Sequence, residues 1–234
     1  AGIDVAGRVF TLMDSATTFE KMLDDRARVK PGDILAQVSG TSSSLLQAER
    51  VALNLLQRMS GIATLTSRYV DAVSGTKARI VDTRKTTPGL RNLEKYAVRV
   101  GGAHNHRTGL YDGILIKENH ITAAGGIAEA VRRARNYIPH TLKIEVETET
   151  VDQVNEALAA RADIIMLDNM SCDMMRHCVE LIAGRATVEA SGGVNLDTVR
   201  AIAETGVDII SVGSLTQSPR SVDISMLMDS KIAP

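Results

Sequence analysis

The 234-residue chain has no tryptophan and only 3% aromatic residues. Surfaces for single-stranded nucleic acid combine aromatic platforms with a broad basic face. With few platforms and a formal net charge of -1, nucleic acid is not an expected partner. Long apolar runs are missing too. Stretches such as Ile164-Ile165-Met166-Leu167 fall far short of the ~20 residues that cross a bilayer. The first residues also lack a basic region followed by an apolar one, so no membrane partner is expected. Cysteine is scarce, with Cys172 and Cys178 alone. On one helix they would sit ~9 Å apart along its axis, too far for a disulfide. Two lone thiols fit a reducing, cytoplasmic setting.

What is present starts with enough apolar material, 44% of residues, for one large or two smaller domains. The small net charge conceals an asymmetry. Between Lys77 and Lys117 there are nine Lys or Arg and three Asp or Glu, so that segment carries +6 and the remainder -7. Positive charge this local, in a chain with so few aromatics, points to a compact anion pocket.

Two rhythms divide the chain. In the first forty-odd residues, Val9-Phe10-Thr11-Leu12 reads as a strand, and 29–38 as a turn at Pro31-Gly32 leading into another. Gly40-Thr41-Ser42-Ser43-Ser44 reads as a loop ending in a helix N-cap. A long helix over about 44–73 follows. Leu45, Ala48, Ala52, Leu55, Leu56, Met59 and Ile62 recur at helical spacing, leaving Gln47, Arg50, Asn54 and Arg58 for other faces.

From about Thr76, strand and helix alternate. Strands are predicted over 78–82, 113–117, 142–147, 164–167, 187–190 and 209–212, with a short one near 103–106. Helices are predicted over 127–137, 151–160, 172–182 and 196–205, the last capped by Asn195 or Leu196-Asp197. Such alternation implies parallel strands with crossover helices, in a barrel or a doubly wound sheet. Ser191-Gly192-Gly193 and Val212-Gly213-Ser214 stand at consecutive strand ends. Barrel enzymes commonly grip a phosphate there with loop amides, whereas either motif alone would be explained as well by a tight turn. The expected fold is therefore α/β: an open (β/α) barrel of about seven strands, with a smaller α+β domain at the N-terminus. Residues 1–75 form that domain, reading as truncated at its start. Residues 76–216 form the barrel, and 217–234 return to the N-terminal domain.

The charged residues sharpen the pocket. Glu145 and Glu147 are two apart on a strand and share a face, favoured as the interior because two carboxylates against helices need partners. Asp168 follows the apolar run Ile164 to Leu167 and reaches the same mouth as Glu147. Such a pair holds a hard cation, usually through water, or ribose hydroxyls; the alternative is a salt bridge to Lys117 or Lys85. Arg84 offers the planar fork that suits a carboxylate, and Lys85 the point charge that suits a phosphate. His106-Arg107 repeats the combination. A solvated basic loop is the bland reading, weakened because Arg84, Lys85, Arg107 and Lys117 all follow or end strands. His104, His120, His140 and His177 show no metal-ligand spacing.

Several segments together resemble the quinolinate phosphoribosyltransferase family. They are Asp82-Thr83-Arg84-Lys85-Thr86-Thr87-Pro88-Gly89-Leu90-Arg91, Asn105-His106-Arg107, Leu115-Ile116-Lys117-Glu118-Asn119-His120, Glu145-Val146-Glu147, Met166-Leu167-Asp168-Asn169, Ser191-Gly192-Gly193 and Val212-Gly213-Ser214-Leu215-Thr216. Glu49-Arg50 and Met59-Ser60-Gly61-Ile62-Ala63-Thr64 match as well. The resemblance runs in order over nearly the whole chain.

It implies phosphoribosyl transfer from phosphoribosyl pyrophosphate to quinolinate with decarboxylation, a step of NAD biosynthesis. Quinolinate would meet Arg84, His106 and Arg107, with Thr83 and Lys117 close by and Arg50 arriving from the neighbouring subunit of a homodimer. Phosphoribosyl pyrophosphate would meet Lys85, Glu147, Asp168, Ser191, Gly192, Gly193, Gly213 and Ser214. Lys85, Lys117, Glu147 and Asp168 would be catalytic, and Glu147 and Asp168 would hold Mg²⁺ through water. The sequence departs from the family where its additional N-terminal helices and acidic, glycine-containing motif find no counterpart before Ala1. Gln217 replaces a basic residue of some members, and Glu118 an Asp. Rival readings are a paralogous phosphoribosyltransferase for another aromatic acid, a non-catalytic phosphate-ligand barrel, and a Schiff-base aldolase using Lys117 or Lys85.

Overall fold

The computed structural model describes residues 1–229, so the expectation for positions 230–234 lies outside the described residues. The chain opens with a helix, α1 (Ile3–Met13), where a strand was expected over 9–12. Ile3, Ala6, Gly7 and Phe10 form its buried stripe. That three-and-four spacing outweighs the β preference of a local Val-Phe-Thr. β1 (Thr18–Lys21) and β2 (Ala36–Ser39) pair antiparallel. Thr41 caps α2 (Ser42–Ala72), its hydroxyl accepting from the Ser44 amide, so the cap lies three residues before Ser44. Leu45, Ala48, Ala52 and Leu56 of α2 pack with Ile3, Ala6 and Phe10. Met59, Ile62 and Tyr69 of the same helix enter the main core. One helix thus belongs to both hydrophobic clusters.

The rest alternates: β3 (Arg79–Val81), α3 (Arg91–Val100), β4 (Ile114–Ile116), α4 (Glu118–Ala124), α5 (Ile127–Tyr137), β5 (Ile144–Thr148), α6 (Val151–Ala159), β6 (Ile164–Asp168), α7 (Cys172–Ile182), β7 (Thr187–Ser191), α8 (Val199–Ala203), β8 (Ile209–Ser211) and α9 (Ser214–Gln217). The six strands form one parallel sheet in the order β3-β8-β7-β6-β5-β4. On the free side of β3, Val81 bridges His104 in parallel. The strand expected near 103–106 is reduced to that bridge, and no pairing to β4 closes the circle among the described residues. The barrel is open there.

α3 escapes a reading of apolar periodicity because its buried face includes Glu94 and Lys95. α8 is shorter than the expected 196–205. The Asn195 side chain accepts the Asp197 and Thr198 amides, and this local turn delays the helix. The C-terminal segment runs back along α2: the Val222 amide donates to the Gln57 carbonyl, and Gln57 Nε2 donates to the Ile224 carbonyl. Ile224 and Met226 then pack on the N-terminal cluster.

Two charged pairs inside the helix layer fix the barrel mouth. Lys95 Nζ lies 2.5 Å from Asp82 Oδ1, the side chains 4% and 0% exposed. Burial pushes the Asp82 carboxyl above its ordinary value, against the pull of Lys95, the His106 amide and Asn105. Arg58 of α2 holds Glu94 of α3 at 2.9 Å and donates to the Thr216 carbonyl at 2.7 Å. Removing one partner of a buried pair strands the other charge. Lys95→Met is therefore expected to lower the unfolding free energy by about 3 kcal/mol or more, measured by denaturant titration. A change under about 1 kcal/mol would show that the pair behaves as a solvated one.

Candidate active site

The site gathers at the C-terminal ends of the strands. After β3, Thr83 Oγ1 accepts the Lys85 amide at 3.1 Å, and the Arg84 carbonyl accepts the Thr86 amide at 2.9 Å. Arg91, at the start of α3, donates to Thr86 Oγ1 and to the Thr108 carbonyl, both at 3.0 Å. It joins the loop carrying Arg84 to the segment carrying Arg107. Asp82 completes the junction by accepting the His106 amide at 2.9 Å and Asn105 Nδ2 at 2.5 Å, while Lys95 Nζ donates to the His106 carbonyl.

The Arg107 guanidinium is half-buried, and its pKa is lowered first by burial and then by Arg84. Two guanidiniums close enough to influence each other in a partly dry place suit a compact dianion.

Across the mouth stand the acids. Strand register puts Glu147, Met166 and Glu189 at one level, with Asp168 and Ser191 two residues higher on the same face. Lys117, at the end of β4, forms an ion pair with Glu147. Asp168 Oδ2 accepts from Asn169 Nδ2 at 2.6 Å. The alternative considered for these acids, a salt bridge to lysine, is thus present for Glu147. The oxygen donors Glu147 and Asp168 suit a hard divalent cation that keeps water in its shell.

The glycine loops lie beside them. The Asn169 amide donates to the Ser191 carbonyl at 2.9 Å. Gly192, with φ +87°, presses so close to Asn169 that a Cβ would overlap its side chain and come within 2.8 Å of its amide nitrogen. Gly193 also has positive φ. At Gly213 a Cβ would meet Lys85 Cδ at 3.4 Å, so the Lys85 stem lies over this second loop. Ser214 Oγ is 3.3 Å from the Tyr69 hydroxyl. Thr216 Oγ1 donates to the Lys85 carbonyl at 2.8 Å, and Lys85, Thr216 and exposed Gln217 border a hollow of about 350 Å³.

Arg50 is exposed on α2, and its side chain makes no hydrogen bond or ion pair among the described residues. Nothing in its own chain gathers it into the mouth. His106 lies in the interior, yet both ring nitrogens already have protein partners: Nδ1 accepts the Arg107 amide at 2.8 Å, and Nε2 lies 3.0 Å from Glu145 Oε2. Burial lowers the His106 pKa while Glu145 and Glu189 raise it, and the net direction is up. The hydrogen bond nevertheless requires a bare Nδ1, because a second ring proton would face the Arg107 N–H. Direct contact between a His106 nitrogen and a substrate carboxylate is therefore not what this arrangement offers.

Sequence reading missed Glu189 as a member of the site. It stands between the apolar Val188 and Ala190 on β7 and is 1% exposed. A lone acid inside a buried strand was the available signal.

An open parallel barrel with paired guanidiniums, a facing acidic pair and two glycine loops defines a phosphoribosyltransferase-type site for an anionic acceptor. Residues 1–60 match the family model for the N-terminal domain of quinolinate phosphoribosyl transferase, and residues 62–227 that for its C-terminal domain. A probable nicotinate-nucleotide pyrophosphorylase (carboxylating) of Bacillus subtilis is 49% identical over 226 residues, covering 97% of this chain and 78% of that protein. The chloroplastic nicotinate-nucleotide pyrophosphorylase of Arabidopsis thaliana is 44% identical, covering 100% and 72%. The crystal structure of NadC from Streptococcus pyogenes superposes with a TM-score of 0.91 at 47% identity, covering 95% of this chain and 79% of that one. The chain belongs to the quinolinate phosphoribosyltransferase family.

Gly192→Ala adds a methyl group against Asn169 at a left-handed φ. It is expected to destabilise the protein by about 1 kcal/mol or more, read as a lowered thermal midpoint. An unchanged midpoint would mean that the loop relaxes without strain.

Proposed function

We infer that this chain joins quinolinate to the ribosyl phosphate of phosphoribosyl pyrophosphate and decarboxylates the adduct. The products are nicotinate mononucleotide, pyrophosphate and CO₂. The observation that carries the reading is the Arg84 and Arg107 pair, held by a shared buried scaffold and facing an acidic pair across the barrel mouth. A pyridine with adjacent carboxylates matches two fixed forks. Thr83 and Lys117 line the same pocket, and His106 acts on it through Arg107. Lys85 and the loops at Ser191, Gly192, Gly193, Gly213 and Ser214 take the phosphates, where backbone approaches closely.

Glu147 and Asp168 would hold Mg²⁺, largely through water, and Lys117 would exchange its bond to Glu147 for one to substrate. When bound, the ion supplies neutralisation of the pyrophosphate charge. The chain's own residues do the rest. Arg84 and Arg107 orient the pyridine nitrogen toward the ribose C1, and the bond to pyrophosphate breaks as the bond to nitrogen forms. Lys85 balances charge on the departing oxygen, and the Glu147 and Asp168 carboxylates stabilise the positive sugar. The positive charge on the quaternised ring nitrogen then stabilises the electron pair left on ring carbon 2 as its carboxylate leaves as CO₂, and that pair takes up a proton from water.

A homodimer in which Arg50 completes the neighbour's pocket accounts for its isolation. Leu46, four residues earlier on the same helix face, and Val51 are also exposed, at 58% and 52%. Among the described residues no helix is long and apolar enough to cross a membrane. With two free thiols, this is compatible with a cytoplasmic enzyme.

Purified protein supplied with quinolinate, phosphoribosyl pyrophosphate and Mg²⁺ is expected to release CO₂, and no release would overturn the reading. Arg107→Ala is expected to lower turnover by on the order of 10², whereas unchanged kinetics would remove Arg107 from the pocket. Co-expressing Arg50→Ala with Arg107→Ala chains is expected to restore about a quarter of wild-type activity, since half of random dimers hold one intact site. No restoration would place Arg50 outside a shared site.

A further inference from the structure

The reaction leaves one buried group without a role. Glu145 of β5 and Glu189 of β7 project into the barrel interior, 3% and 1% exposed, each with an Oε1 that has no hydrogen-bond partner. Their other oxygens converge on His106: Nε2 is 3.0 Å from Glu145 Oε2 and 3.7 Å from Glu189 Oε2. The opposite ring nitrogen accepts the Arg107 amide. A backbone N–H always donates, so Nδ1 keeps its lone pair and the ring hydrogen sits on Nε2, facing the acids. The same fact argues against a cation held by His106, Glu145 and Glu189, although their ligand atoms lie within 4.8 Å of one another. Coordination would need the Nε2 lone pair, which this tautomer lacks.

We propose that Glu189 is a positioning residue for quinolinate capture: with Glu145 it fixes His106 in the Nε2–H tautomer, and the ring holds the Arg107 backbone so that its guanidinium stays beside Arg84. This role rests on the reading of Arg84 and Arg107 as the quinolinate grip. Acids, imidazole, amide and guanidinium form one chain of contacts from the dry interior to the mouth.

The arrangement requires Glu189 to carry a proton. Burial, reinforced by the Glu145 charge, pushes its pKa up to about 8. Glu145 faces it from β5, His106 from the segment after α3 and the Ser211 hydroxyl from β8. Met166 of β6 sits opposite at the same level and does not titrate, and Arg107 faces Glu145 from the segment of His106. A carboxyl raised from 4.5 to about 8 is neutral below that pH and ionises above it. Ionisation leaves two buried negative charges, which draw a second proton onto His106 Nδ1. The Arg107 amide then loses its acceptor. Quinolinate binding should weaken above about pH 8, while binding of phosphoribosyl pyrophosphate, which does not use the Arg107 guanidinium, should not.

Glu189→Gln keeps the shape and is neutral at every pH; Glu189→Leu removes the polar group. In wild-type protein the KM for quinolinate should rise about tenfold between pH 7 and 9, across a midpoint at about pH 8, and Glu189→Gln should abolish that rise. Glu189→Leu, where it folds, should raise the quinolinate KM about tenfold or more at pH 7, with the KM for phosphoribosyl pyrophosphate unchanged. Nitrogen NMR of the histidine rings should show His106 bare at Nδ1 and protonated at Nε2 at pH 7, independently of turnover. An identical alkaline rise in Glu189→Gln, equal shifts in both KM values, or a His106 protonated at Nδ1 would overturn the role. So would Mn²⁺ bound by wild type at this triad and lost in Glu189→Gln. A wild-type protein with the NMR signature but no CO₂ release from quinolinate would instead sink the functional reading.

Discussion

The mouth of the barrel depends on one buried carboxylate. Asp82 follows β3 directly and receives Lys95 from α3, Asn105 and the His106 amide. Arg84 lies two residues after it in sequence, and Arg107 one residue after a group it holds. Two guanidiniums repel each other, so neither would stay beside the other on a free loop. Anchoring both backbones to the same buried anion removes that choice from the side chains. Arg91 adds a second tie between the two loops, and Arg58 with Glu94 fixes α3 to the long helix. Buried pairs of this kind add little net stability over an apolar replacement; their effect here is on geometry.

Around the open barrel, chemistry changes with strand order. Cations follow β3, its bridged neighbour and β4, carboxylates stand at β5 and β6, and glycine loops follow β7 and β8. Because β3 pairs with β8, the phosphate loops come round beside Lys85, whose stem lies over Gly213. A substrate pair that is dicarboxylate at one end, sugar in the middle and phosphate at the other maps onto that sequence of charges. Below this ring, His106 links the interior acids to Arg107, so the dry core and the anion pocket are coupled by hydrogen bonds.

Much of this was legible beforehand. Alternation of Val- and Ile-rich segments with amphipathic ones predicted the parallel strands, and charges placed just after them predicted the mouth. The misses have physical causes. Val9-Phe10-Thr11-Leu12 carries β-forming residues, but its partners Ile3 and Ala6 lie outside a four-residue window, and burial at helical spacing decided the outcome. The face of α3 was hidden because Glu94 and Lys95 are buried by pairing, which composition reads as exposure. Glu189 was passed over because its partners come from β5 and from the segment at His106, far away in sequence. The hydrogen bonds of His106 follow from a backbone amide next to it, which a residue pattern does not report.

The central claim is that Arg84 and Arg107 together grip a pyridine dicarboxylate. A crystal structure of the protein with quinolinate tests it most directly. The account predicts the two carboxylates against the Arg84 and Arg107 guanidiniums, with the ring nitrogen turned toward Glu147 and Asp168. Quinolinate bound elsewhere, with the gap between the two guanidiniums unfilled, would contradict it.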